Sequence, residues 1–386
     1  MDRKFADREY SRLLTRLEAA RSIGNRRTTR QAARNFIRSP VARQAMCWRL
    51  LGNEAHEEQV ASLMEQVEPF HRYHRSIRFW REPKRSSGHR IVCALPLALK
   101  VTHRIIRDAL GILIQPNEHI FDIKGRGRDR LTQAVAAAME GPFTHAFVAD
   151  IRNCFPSVNP EALNELPLPR EVIRYALDYR NLRFRHDPSR EGQIVSSPYM
   201  DQDNPSPGRD GPSGVLQGSP ASNLILAWLL NDMIEHIPEG CRAFLISDDL
   251  IVLAPSSGEG DRVGEALVRY CGAHQAGPFV LEGAVVSVSQ GYEKLGYQFG
   301  KSDLTGDVTV DLSDFNSRRL QARLMEAVRK DASKGLQRPI SAYQALYQSM
   351  TGFASVTDRE NLLDVHLDEI DYQFMMQTVR SWRSNG

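Results

Sequence analysis

The spacing of apolar and polar positions divides the chain into segments of different period. Residues 1–70 carry helical spacing, with Arg8, Arg12 and Arg16 on one helix face and Arg30, Arg34 and Arg38 on another. Asn25, followed by Arg-Arg-Thr-Thr, separates one helix from the next. Residues 71–100 alternate instead. An extended run reaches Phe79 and Trp80, Lys84-Arg85-Ser86-Ser87-Gly88 turns, and Arg90-Ile91-Val92 resumes as a strand, which predicts a hairpin. Helices are predicted over 97–113 and 131–139, joined through a loop containing Lys124-Gly125-Arg126-Gly127-Arg128. An apolar strand then ends in Asp150, and a turn presents Phe155 five residues later. Ser219 and Pro220 read as the N-cap and first residue of a long apolar helix over 221–237. Two apolar runs, 244–246 and 250–253, flank Ser247-Asp248-Asp249 and predict a tight hairpin with the paired carboxylates at its tip.

A helix over 261–274, short strands over 280–288 and 293–299 that close the sheet, and helices from 312 onward complete the pattern. The central order strand–helix–strand–strand–helix–strand describes an α+β fold on a split βαβ sheet with attached lobes. Residues 180–213, dense in Pro, Gly, Ser and Asp, read as a flexible insertion.

Charge changes this picture at the N-terminal side. The formal net charge of the 386 residues is only +3, but residues 1–50 hold thirteen Lys/Arg against four Asp/Glu, and residues 71–90 hold seven against one. From 351 onward the balance reverses, with three basic and six acidic residues. Such asymmetry points to a polyanion meeting the N-terminal part, and equally to a solvated helix face or a protein partner. The five cysteines (Cys47, Cys93, Cys154, Cys241, Cys271) have no metal-ligand or CxxC spacing, which argues against a zinc site and a disulfide framework. No stretch approaches a membrane span and the first residues lack an apolar signal region. The expectation is a soluble, cytoplasmic protein with no membrane partner.

The candidate chemistry lies in carboxylates. Asp248 and Asp249 are like charges side by side next to an apolar hairpin, for which a divalent cation is the usual remedy. Asp150, at a strand end, is the third carboxylate such a site needs. Three carboxylates on a sheet surface can hold two divalent ions that suit in-line displacement at phosphorus, and hard oxygen ligands favour Mg2+, with Mn2+ as a substitute. Lys84 and Arg90 on the basic hairpin would bind a triphosphate. Gln217-Gly218 offers a long amide and a bare backbone against which a planar base can lie. The Lys124, Arg126 and Arg128 loop lacks the spacing of a P-loop and is read as touching a nucleic-acid strand.

These residues carry a resemblance. Asp150-Ile151-x-x-Cys154-Phe155-Pro156-Ser157-Val158, Gly214-x-x-Gln217-Gly218-Ser219-Pro220-x-Ser222, Ser247-Asp248-Asp249 and Leu295-Gly296-Tyr297, preceded by the hairpin from Lys84 to Arg90, resemble in order the motifs of bacterial reverse transcriptases. The relatives are those of retrons, group II introns and defence-associated or abortive-infection systems. The resemblance runs from about residue 77 to 300. It implies a right-hand polymerase: a basic helical extension (1–75), fingers (76–140), a ferredoxin-like palm (141–300, with the insertion 180–213) and a helical thumb (301–386). It implies Asp150, Asp248 and Asp249 as catalytic and, with Ile151, as the metal site. Phe155 stands where the family gates against a ribose 2′-hydroxyl, Gln217 and Gly218 where it contacts the incoming nucleotide, and Leu295-Gly296-Tyr297 where it grips the primer. The implied activity is RNA-directed DNA synthesis from dNTPs, with an RNA template, a DNA product and a role in antiviral defence. A cognate non-coding RNA, a protein partner and self-association are left open.

Three departures stand out. Ile246-Ser247 replaces the usual Tyr-Ala before the Asp pair, residues 281–286 lack the lysine often found in the fourth palm motif, and no RNase H, integrase or endonuclease extension is expected. Lys294 and Lys301 are the candidates to replace the lysine, and spacing does not choose between them. A viral-type RNA-dependent RNA polymerase shares the palm, but Phe155 counts against it. Template-independent or protein-primed DNA synthesis and a non-catalytic RNA-binding relative are also compatible with the pattern.

Overall fold

The computed structural model describes residues 2–84, 88–191, 211–316 and 318. The basic N-terminal stretch forms α1 (Arg3–Ser22), α2 (Arg26–Arg38), α3 (Pro40–Leu51) and α4 (Glu57–Glu65). Asn25 caps α2 by accepting from the amides of Arg27 and Thr28, and Ser39 caps α3 ahead of Pro40. Strands β1 (Ser76–Pro83) and β2 (His89–Ala94) follow, then α5 (Leu97–Leu113) and α6 (Arg128–Met139). All four N-terminal helices pack on α5. Buried Tyr10 donates to Asp108 at 2.7 Å, and Arg21 donates to the Ile112 carbonyl at 2.8 Å.

The chain continues through β3 (His145–Arg152), α7 (Cys154–Ser157), α8 (Arg170–Val172), β4 (Arg183–His186), α9 (Ser222–Leu229), β5 (Arg242–Ile246), β6 (Asp249–Ala254), α10 (Ser257–Ala273), β7 (Val280–Ser287), β8 (Tyr292–Lys294), β9 (Tyr297–Lys301) and β10 (Val308–Leu312). Two compact units, interleaved in sequence, divide it. The first holds residues 1–124, 150–236 and 266–282; the second holds 125–149, 237–265 and 283–386.

The fold class is α+β. A four-stranded sheet runs β5-β6-β3-β7. Counting β3, β5, β6 and β7 as first to fourth strands, α9 lies between the first and second and α10 between the third and fourth. That order is the split βαβ arrangement. Strands β5 and β6 read as near-continuous apolar runs because almost every residue between Ala243 and Ala254, outside the turn, is buried.

Four expectations need correcting. Residues 293–299 do not close this sheet; β8 and β9 form a second, three-stranded sheet with β10 in the order β10-β9-β8. Residues 308–312 are therefore strand, within a stretch expected to be helical thumb. The remainder of that stretch, 317 and 319–386, lies outside the described residues, as do 85–87 of the hairpin turn and 192–210 of the expected insertion. The described start of the insertion is not irregular: Arg183–His186 pairs in parallel with β1, giving the sheet β2-β1-β4. Finally, the helix expected over 221–237 begins at Ser222, ends at Leu229 and gives way to a 3-10 helix over Asn231–His236.

The arginine faces of the N-terminal helices are engaged by the protein itself on α2 more than on α1. Arg34 is ion-paired with Glu171 at 2.7 Å, Arg26 with Glu165 at 2.9 Å, and Arg30 donates to the carbonyls of Asn164 and Leu166. Arg12 pairs with Glu9 one turn away. Arg8, Arg12, Arg16 and Arg38 are exposed.

Candidate functional site

Within the first unit, three separate stretches meet around the turn that follows β3. Asn153 adopts a left-handed conformation (φ 51°), which asparagine tolerates better than most residues. Its side-chain oxygen accepts from the Lys84 ammonium at 2.6 Å. The next stretch packs on the first: the Val215 amide donates to the Phe155 carbonyl at 2.8 Å. Gly214 is required here, because with φ 59° a Cβ would lie 2.1 Å from that carbonyl oxygen. Phe155 itself is only 9% exposed.

The third stretch is β2. The Cys93 amide donates to the Gln217 carbonyl at 2.8 Å, fixing the Gln217-Gly218 turn along that strand. At Gly218 (φ 104°) a Cβ would fall 2.3 Å from the Cys93 carbonyl oxygen, so only glycine fits. Lys84, Phe155, Gln217 and Gly218 are thus held by contacts running through one unit. Arg90 is engaged within the hairpin itself. It forms a two-pronged ion pair with Glu82, directly opposite it in the β1–β2 register, at 2.7 and 2.9 Å. Glu82 also accepts from the Trp80 indole at 3.1 Å.

The second unit carries the acidic hairpin. Ile246 pairs with Asp249, so Ser247 and Asp248 form a two-residue turn, with Ser247 left-handed at φ 57°. Asp248 occupies the tip and Asp249 opens β6. Lys294, at the end of β8, lies 2.6 Å from the Asp249 carboxylate, whereas Lys301 donates to the Gly141 carbonyl at 2.7 Å. Of the two lysines that spacing could not separate, Lys294 is the one beside the Asp pair. Leu295 and Gly296 make the two-residue turn between β8 and β9, both with positive φ. Tyr297 is fully buried, donates to Asp129 at 3.1 Å and lies under the Arg128 guanidinium, 5.7 Å from its carbon. Its ring therefore packs against α6, and Leu295 and Gly296 are the partly accessible part of that motif. Burial and the Asp129 charge raise the Tyr297 pKa. In the basic loop, Arg126 and Arg128 belong to this unit, and Lys124, exposed, ends a segment of the first.

Asp150 extends β3, the strand beside β6 in the sheet order, and Ile151 behind it is buried. Carboxylates are suitable donors for a hard divalent cation. As placed, however, no three His, Cys, Asp or Glu side chains among the described residues are grouped to share one. Asp249 is ion-paired with Lys294. Burial pushes the thiols of Cys47 and Cys93 up to about 12 and that of Cys271 to about 11.

Sequence reasoning missed Asn153, Glu82 and Asp129, each a partner of a predicted residue. Asn153 carried a signal, an asparagine just past a strand end; Glu82 and Asp129 are ordinary acids whose roles depend on register and packing.

No protein-family model matches the chain, and no curated protein matches it. Among solved structures it is similar to the Sicinivirus 3Dpol RNA dependent RNA polymerase, at 12% identity and a TM-score of 0.39, over 68% of this chain and 58% of that one. The chain thus spans less than two thirds of that polymerase.

Proposed function

We propose that this protein is a template-directed nucleotidyltransferase, an RNA-directed DNA polymerase of the bacterial reverse transcriptase kind. The observation that carries the reading is the assembly of Lys84, Phe155 and Gln217-Gly218 around the end of β3 by contacts within one unit. These residues come from three distant stretches, Lys84 and Gln217-Gly218 read from the residues themselves and Phe155 from the resemblance. The fingers, palm and thumb division, the RNA template, the DNA product and service in antiviral defence belong to this proposal.

In this reading Gln217 and Gly218 present an amide and a bare backbone to the base and sugar of the incoming nucleotide. Phe155 closes the space a ribose 2′-hydroxyl would need. Lys84 stabilises the triphosphate, and Arg90 joins it by exchanging Glu82 for phosphate oxygens. Magnesium is proposed as cofactor, supplying neutralisation of phosphate charge. Asp150 and Asp248 would hold it, with Ile151 behind them and Asp249 contributing once it leaves Lys294. The basic loop (Lys124, Arg126, Arg128) and the Leu295-Gly296 turn would meet the template and primer backbones.

Primer extension on an RNA template with dNTPs or NTPs tests the reading. Preferential use of dNTPs is expected, and Phe155→Val should raise relative NTP use by about ten-fold or more, since a steric exclusion is being removed. Equal use of both pools by the unaltered chain would favour an RNA polymerase instead. A second reading, a nucleic-acid-binding relative without catalysis, is favoured by the Lys294–Asp249 ion pair.

A further inference from the structure

The strongest unassigned feature is a buried polar chain behind the Gln217-Gly218 turn. His103, in the middle of apolar α5, is 1% exposed. Its Nε2 lies 2.7 Å from the Ala176 carbonyl oxygen and its Nδ1 lies 2.6 Å from Ser219 Oγ. A carbonyl can only accept, so Nε2 carries the proton, Nδ1 is the acceptor, and the Ser219 hydroxyl donates to it. Ser219 Oγ in turn accepts from the Ala221 amide at 3.1 Å, so both ring nitrogens and the Ser219 hydroxyl have partners.

The residues on either side of this bond explain its position. Ala176 sits in a short π-helical turn, Ile173–Leu177, that ends at Asp178, so its carbonyl needs a donor from outside the turn. Ser219 follows Gly218, whose neighbour Gln217 is anchored by its carbonyl to Cys93. Ser222 donates to the Leu216 carbonyl at 2.7 Å on the other side. The turn is therefore pinned at Cys93, at Ser222 and at His103. Of these three pins, only the His103 contact is made by a side chain from a different helix.

We infer that His103 is a positioning residue for nucleotide binding: as a neutral, single-tautomer imidazole it clamps Ser219 and so holds Gln217 and Gly218 at the height the incoming nucleotide needs. This rests on the polymerase reading for its consequence, though not for its geometry. A leucine would fill α5 at this position but leave the Ala176 carbonyl without this donor and Ser219 without this acceptor. A fully satisfied buried network is instead a device for fixing one geometry.

Two replacements separate the two bonds. His103→Asn keeps an acceptor near the Nδ1 position and loses the bond to Ala176. His103→Gln keeps a donor near Nε2 and loses the bond to Ser219. The expected result is that His103→Gln and Ser219→Ala each raise the KM for the incoming nucleotide about ten-fold with kcat within about two-fold, corresponding to about 1.4 kcal/mol. Their combination should be no worse than either, and His103→Asn should stay near the unaltered KM. Amide hydrogen exchange, measured on the same proteins without nucleotide, should accelerate over residues 214–222 in His103→Gln and not over α5. Equal exchange gains in α5 and the turn, or a lower kcat with unchanged KM, would overturn the positioning role. Absence of incorporation by the unaltered chain would instead sink the polymerase reading, while the exchange pattern would still decide whether His103 holds the turn.

Discussion

His103 shows how a single buried group couples chemistry to stability. Burial lowers its pKa from 6.5 to about 4, with the Ala176 hydrogen bond opposing only part of the shift. Between those values the unfolded chain binds a proton that the folded chain refuses. The His103 contribution to stability is therefore complete above about pH 6.5 and lost as pH falls toward 4, with a slope of up to about 1.4 kcal/mol per pH unit. Urea unfolding of the protein and of His103→Gln across that range should show this slope in the first and its loss in the second. Gly218 makes a different residue-scale prediction. Its positive φ and the Cys93 carbonyl leave no room for a methyl group, so Gly218→Ala should cost about 1–3 kcal/mol. An unchanged urea midpoint would mean that the turn is looser than these distances allow. Gly218 stood out in the sequence as a glycine after a glutamine, ahead of a helix, and the close Cys93 carbonyl gives its structural reason. His103 did not, because a histidine within an apolar helix gives no sign of what faces it.

At the level of elements, local signals served well where local physics decides. The β5–β6 hairpin, the β1–β2 hairpin and α5 follow from runs of apolar residues bounded by turn residues, and Asn25 caps α2. Reading failed where pairing partners are distant. Strand β4 has only four residues and an exposed, arginine-rich sequence; it is a strand because β1 offers an open edge, which residues 183–186 cannot announce. Likewise β8 and β9 carry strand character, but nothing in them says that β10 and not the four-stranded sheet is their partner. The join of β8 to the hairpin also yields a test. Lys294, with its side chain 13% exposed, faces Asp249, at 32%, so this ion pair lies between the surface and buried regimes. Lys294→Met should destabilise the protein by about 1–2 kcal/mol, and adding Asp249→Asn should recover part of that loss. Strict additivity in this double-mutant cycle would show that the pair is not coupled.

Over the whole molecule, the motif order was readable because each candidate stretch is short, punctuated by glycine, proline or aspartate, and followed by a recognisable element. The charge asymmetry was equally visible, but its destination was not: Arg26, Arg30 and Arg34 direct their donors to residues 164–171. Substituting these three should weaken the fold before it weakens nucleic-acid binding, which thermal unfolding and an RNA-binding titration on the same variants would separate. The proposed metal site was the least legible feature, since grouping of carboxylates depends on side-chain geometry, and Lys294 holds one of the three proposed ligands. The polymerase reading stands on one reaction. The purified chain and its Asp248→Asn variant would be supplied with magnesium, labelled dNTPs and a primed RNA template, with template-free controls. Template-dependent dNTP incorporation by the chain, abolished in the variant, is the predicted result. Incorporation that persists in Asp248→Asn, or none from dNTPs on any primed template, would contradict it.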